Sequence, residues 1–78
     1  MTNLPVIIYT QPTCQACQRL KSYLKQKAVE YEERDVTEND QAFSELQQLG
    51  FTTTPVILVG DEVVVGFDQA KLERLHFP

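Results

Sequence analysis

The stretch from Tyr9 to Leu24, YTQPTCQACQRLKSYL, decides how this chain is read. It holds both cysteines of the 78-residue chain, Cys14 and Cys17, three positions apart. Just upstream, Leu4 to Thr10 is a short apolar run with Val6, Ile7, Ile8 and Tyr9, which suits a strand covered on both faces. Gln11, Pro12 and Thr13 break that run, because proline has no N–H for a ladder and biases its neighbour toward extended geometry. From about Gln15 to Lys27 the period becomes helical. Cys17, Leu20 and Leu24, joined by Ala16 and Tyr23, form one apolar stripe, and Arg19, Lys21, Lys25 and Lys27 lie mostly elsewhere.

Three uses of the pair Cys14-Gln15-Ala16-Cys17 compete. A zinc site needs about four ligands, and this chain offers two cysteines and a single histidine, His76, at the far end. No metal is therefore expected within one chain, although a cluster bridging two chains stays open. A structural disulfide across two residues closes a tiny loop and removes little unfolded-state entropy. A redox dithiol fits the placement best. Cys14 falls where a strand has ended and a helix begins, so free N–H groups and the positive end of the helix dipole favour its thiolate. Cys17, one turn in, lies on the buried stripe and within disulfide reach. One accessible thiol beside one buried partner is what exchange needs: Cys14 attacks a substrate disulfide and Cys17 resolves the mixed disulfide. Arg19 and Lys21 can add positive potential near Cys14, or simply be solvated helix cations.

The remaining elements follow from the same signals. Val29 to Val36 (VEYEERDV) reads as a charged edge strand, whose charges discourage pairing with another chain. Thr37 or Asn39 can cap a second helix with Ala42, Phe43, Leu46 and Leu49 at helical spacing and Gly50 as its stop. Pro55 to Val59 is an apolar strand, Gly60-Asp61 a tight turn, and Glu62 to Val65 the hairpin partner. Gly66-Phe67-Asp68 leads into a last short helix packed through Leu72 and Leu75. The order is βαβαββα. It predicts a single α/β domain over residues 1–78, a four-stranded mixed sheet flanked by three helices.

Composition narrows the setting. The apolar fraction of 42% suits a folded domain, and two cysteines are too few for a disulfide-stapled secreted scaffold. The amino terminus has no basic n-region, and its apolar run is too short for a signal sequence or membrane span. A cytoplasmic protein with no membrane partner is expected. A net charge of −4 without a Lys/Arg cluster argues against nucleic acid and suits solubility.

Thr53-Thr54-Pro55-Val56 opens the third strand, where a proline at a strand start is tolerated. With this segment the whole chain resembles a glutaredoxin-class member of the thioredoxin fold. Strand-CxxC-helix, a threonine-rich turn into Pro-Val, and Gly-Phe-Asp before a last helix stand in the family's order. The resemblance implies a cis peptide at Pro55 lying against the CxxC. It also implies that Thr54 offers its backbone groups to an incoming peptide or thiol. Thr13, Gly66, Phe67 and Asp68 would complete the substrate groove. The redox-active disulfide would need no metal or organic cofactor, and the protein is expected to act as a monomer.

Two branches of that family differ in electron donor. Typical glutaredoxins bind glutathione through a lysine shortly before the CxxC, the residue before the cis-proline, and a Gly-Gly-x-Asp-Asp/Glu segment. The matching positions here are Gln11, Thr54 and Val65-Gly66-Phe67-Asp68-Gln69, so the lysine, one glycine and the second carboxylate are replaced. NrdH-redoxins take electrons from thioredoxin reductase and commonly supply a ribonucleotide reductase. Gly50-Phe51, Pro55-Val56, Gly60-Asp61, Gly66-Phe67 and Arg74-Leu75-His76 look more like that branch, but its Trp-Ser-Gly-Phe segment is Val64-Val65-Gly66-Phe67 and the chain has no tryptophan. The residues lean toward the NrdH-like reading. A glutathione-dependent glutaredoxin, with glutathione as co-substrate and Asp68 on its amino group, is the alternative. A dimeric iron–sulfur carrier using Cys14 and glutathione is the alternative of another class. His76, near the terminus, reads as a surface histidine rather than a base for Cys14, and Tyr9 reads equally as lining the site or as a core or rim aromatic.

Overall fold

A computed structural model describes residues 5–75, and Leu4 and His76 lie outside them. The elements run β1 Val6–Thr10, α1 Gln15–Gln26, β2 Glu32–Asp35, α2 Asp40–Gln48, β3 Val56–Val59, β4 Glu62–Val65 and α3 Gln69–Arg74. The strands form one sheet in the order β2-β1-β3-β4. β1 pairs in parallel with β2, and β3 is antiparallel to both β1 and β4. This is the four-stranded mixed sheet with three helices expected of the thioredoxin-like fold.

Strand alternation sends neighbouring residues to opposite faces. Val6, Ile8, Ile57, Val59 and Val64 join Leu20, Tyr23 and Leu24 of α1 and Leu72 of α3 in one core. Tyr9 and Val56 meet Ala42 and Leu46 of α2 in the other. α1 and α3 therefore cover one face of the sheet and α2 covers the opposite one.

Each long helix ends in the same way. After α2, Gly50 has φ +91°; its N–H donates to Gln47 O, and Phe51 N–H donates to Leu46 O. After α1, Ala28 has φ +57°, with its N–H on Lys25 O and Val29 N–H on Leu24 O. Both are Schellman closures with an apolar contact across them, Leu46 to Phe51 and Leu24 to Val29. The second closure shortens the expected strand. Val29 is spent on the end of α1 and the core, so β2 starts only at Glu32, on the sheet edge as its charges suggested. The expected stripe of α2 is also narrower: Ala42 and Leu46 are buried, but Phe43 and Leu49 are exposed. Phe43 lies about 100° around the helix from Ala42, and Leu49 is already the C-cap.

Candidate functional site: the Cys14–Cys17 pair and its surroundings

The turn after β1 sets the pair. Cys14 N–H donates to Gln11 O at 3.3 Å, with Pro12 at the position of the turn that its fixed φ suits. The chain then enters α1 with Cys14 as the N-cap. Its Sγ accepts the N–H of Cys17 at 3.0 Å, the place an oxygen takes in an ordinary cap. The Cα atoms of Cys14 and Cys17 are 5.2 Å apart, and the two form a disulfide. Cys17 is fully buried on the stripe of Leu20 and Leu24, while Cys14 is half-buried at the surface. The expected asymmetry of exposure is present. A backbone N–H aimed at Cys14, at the positive end of α1 and with no acid in the first turn, favours negative charge on that sulfur.

The second wall is the loop into β3. The Thr54–Pro55 peptide is cis, as the family resemblance implied. Thr54 O lies 3.7 Å from Cys14 Sγ, so the loop carbonyl and the sulfur are neighbours. Pro55 O accepts the N–H of Gly66 at 2.7 Å, which ties the end of β4 to the same loop. Gly66 has φ +77°, a conformation that suits glycine. Phe67 then packs edge-on against Tyr23 of α1, ring centroids 6.0 Å apart. Asp68 is the N-cap of α3, its Oδ1 accepting Lys71 N–H at 3.2 Å. The structure thus connects Cys14, Cys17, Thr54, Pro55 and Gly66 directly. Phe67 and Asp68 follow along the chain, with one oxygen of Asp68 committed to its own helix. Thr13 and Gln11 are exposed in the turn before Cys14.

Several expectations about charge are sharpened. Lys21 does not face solvent alone: its Nζ lies 3.0 Å from Glu33 Oε2 on β2. The same carboxylate accepts the hydroxyl of buried Thr10 at 2.8 Å. Burial would raise the pKa of Glu33, but the hydrogen bonds from Lys21 and Thr10 and the Lys21 charge outweigh it and hold it below its ordinary value. Tyr9 is a core residue, with its OH on Glu45 at 3.2 Å. Burial first, then the Glu45 charge, pushes its pKa above the ordinary phenol value. Arg34 bridges that Glu45 to Glu32 and fastens α2 to the edge strand. The Thr10–Glu33–Lys21 contact was missed in the sequence, where no spacing links residues on three elements.

A groove of about 370 Å³ opens further along α1, between that helix and the β4–α3 connection, and is lined by Gln18, Arg19, Ser22, Tyr23, Gln26, Phe67 and Gln69. Its sequence signal was the acid-free outer face of α1. Among the described residues, no three His, Cys, Asp or Glu side chains converge as a metal site would require, and no helix is long and apolar enough to cross a membrane.

The glutaredoxin family model matches residues 6–64. A glutaredoxin of Pseudomonas aeruginosa is 38% identical over 72 residues, spanning 90% of this chain and 86% of its own. Among solved structures, the thioredoxin-like protein BC3987 superposes with a TM-score of 0.86 at 38% identity, over 91% of this chain and 99% of that one. The glutaredoxin-like protein NrdH-redoxin from Escherichia coli does so with a TM-score of 0.85 at 29% identity, over 92% and 95%. With its cysteine pair at the strand–helix junction and this match over most of its length, the chain belongs to the glutaredoxin family.

Proposed function

We propose that the protein is a cytoplasmic dithiol–disulfide oxidoreductase that reduces protein disulfides, with Cys14 as nucleophile and Cys17 as resolving thiol. The observation that carries this reading is the N–H of Cys17 on Cys14 Sγ at 3.0 Å, with Cys17 itself sealed in the core. The Cys14 thiolate attacks one sulfur of the substrate disulfide and expels the other as a thiolate, which takes a proton. The Cys17 thiol, losing its proton, then attacks Cys14 and expels the second substrate sulfur. Two electrons and two protons reach the substrate, and the Cys14–Cys17 disulfide remains. Thr54 and Pro55 dock the substrate backbone beside Cys14. Thr13, Gly66, Phe67 and Asp68 form the rest of the groove wall.

For the donor, the reading is that of an NrdH-redoxin: electrons from thioredoxin reductase, delivered to disulfides such as that of a ribonucleotide reductase. Two features support it. The E. coli NrdH-redoxin has a thioredoxin-like activity profile. Gln11, where a typical glutaredoxin has lysine, brings no cation to the turn. Asp68 Oδ1 accepts the N–H of Lys71, which leaves one carboxylate oxygen for a glutathione amino group.

The test has two parts. Cys17→Ser should accumulate mixed disulfides through Cys14 with a protein substrate; full turnover by that variant contradicts the two-thiol scheme. The oxidised protein should be reduced rapidly by thioredoxin reductase with NADPH and slowly by glutathione with its reductase; the reverse order contradicts the donor assignment.

A further inference from the structure

Charge is segregated in this chain. Between Gln15 and Lys27 stand Arg19, Lys21, Lys25 and Lys27 and no carboxylate, whereas residues 30–45 carry seven carboxylates and only Arg34. Among the described residues, Lys21 and Arg34 are drawn into ion pairs with that acidic side, while Arg19, Lys25 and Lys27 make none. The groove between α1 and the β4–α3 connection takes its character from this helix. Its only charged wall is Arg19, and the amides of Gln18, Gln26 and Gln69 and the hydroxyl of Ser22 add uncharged donors. Tyr23 also lines it, and Lys27 Nζ sits 5.7 Å from the centre of that ring. Gln18, at the groove's end nearer the cysteine pair, lies one helical turn from Cys14, its N–H on Cys14 O.

We infer that this groove is a docking track for an acidic segment of the disulfide-bearing partner, whose carboxylates meet Arg19 and Lys27 while its cysteine meets Cys14. A solvated cationic face alone would not explain a concave surface free of carboxylates in a chain of net charge −4. The geometry sets the spacing. Along the helix axis Arg19 is five positions from Cys14, about 7.5 Å of rise, and Lys27 is thirteen, about 19.5 Å. An extended peptide covers those distances in about two to six residues, so the acidic residues should lie that far from the reactive cysteine. The inference rests on the exchange chemistry proposed above.

The test uses two synthetic peptides with the same disulfide, one flanked by glutamates at that spacing and one by lysines, offered to the dithiol form of the protein. At about 20 mM salt the glutamate peptide should be reduced about ten-fold faster, and the advantage should shrink severalfold at about 500 mM. Arg19→Gln and Lys27→Gln should each lower the ratio of the two rates. Gln48→Glu, an equal change of net charge on α2 across the sheet, should leave the ratio as it is. Equal rates for the two peptides, or a ratio that Arg19→Gln does not lower, overturn the docking track and leave the exchange chemistry standing. Failure to reduce either peptide overturns the exchange reading itself.

Discussion

At the start of α2, Asn39 Oδ1 accepts the N–H groups of Gln41 and Ala42 at 3.0 and 3.2 Å, and Asp40 adds a carboxylate to the first turn. At the start of α1, Cys14 Sγ accepts a single N–H, and no acid is nearby in the turn. Both caps have the same extended backbone, φ −131° and ψ 107° at Asn39, φ −92° and ψ 109° at Cys14. α2 uses its polar end to stabilise itself. α1 leaves its positive end without an acidic neighbour in the first turn, available to a sulfur that carries negative charge in the proposed exchange. The loss to α1 is small beside its packing. A good oxygen cap contributes about 1 kcal/mol, whereas each fully buried leucine contributes about 1.5–3 kcal/mol, and α1 buries Leu20 and Leu24 completely. In the proposed exchange, the helix that carries the cysteine pair is held by its buried face, which frees its end to act on the thiol.

Exchanging the two kinds of cap tests this contrast most severely. Cys14→Ser turns the start of α1 into an ordinary oxygen cap, so disulfide exchange should fall to background while thermal stability matches that of the dithiol protein. Residual turnover, or loss of folding, would break the comparison. On the other helix, Asn39→Ala should cost about 1 kcal/mol in denaturant unfolding and leave the exchange rate unaltered. A fall in rate that outlasts correction for unfolded protein would show that α2 reaches the site after all. A finer change is Gln15→Glu, which places a carboxylate in the first turn of α1. The dipole scale of about 0.3–1 kcal/mol predicts that the pH midpoint for Cys14 reactivity rises and the rate below it drops about two- to five-fold. The smallest effect belongs to the other end of α1. Ala28 occupies a left-handed conformation that Gly50 takes freely after α2, so Ala28→Gly should stabilise by about 0.5 kcal/mol once glycine's unfolded-state entropy is subtracted.

How far the sequence could be read follows from the range of the interactions. The strand, the turn at Pro12 and the helix through Leu24 are written in local spacing, so the placement of Cys14 and Cys17 was legible. Gly50 as a helix stop, Gly60 in the hairpin and Asn39 as a cap are local signals too. The cis bond before Pro55 was carried by family resemblance, since nothing local sets it. What was not legible depends on elements meeting across the sheet. Lys21 looked like a spare cation near Cys14, and only the parallel pairing of β1 with β2 brings Glu33 to it. Asp68 looked like a ligand-binding acid, yet its position three before Lys71 also fits a cap, and that is where one of its oxygens goes. Phe43 and Leu49 shared a spacing with Leu46 but not its burial, because Phe43 lies about 100° around the helix from Ala42 and Leu49 is past the end of α2 at Gln48.

The central claim is that the two sulfurs are unequal, Cys14 being the thiolate-forming, accessible one. Alkylation of the dithiol form by iodoacetamide across a pH series, mapped by mass spectrometry, reads this directly. The account predicts that Cys14 is modified first and with a midpoint below the ordinary thiol value of about 8.5, while Cys17 stays protected until the protein unfolds. Modification of Cys17 first, or a Cys14 midpoint at or above that value, would contradict it.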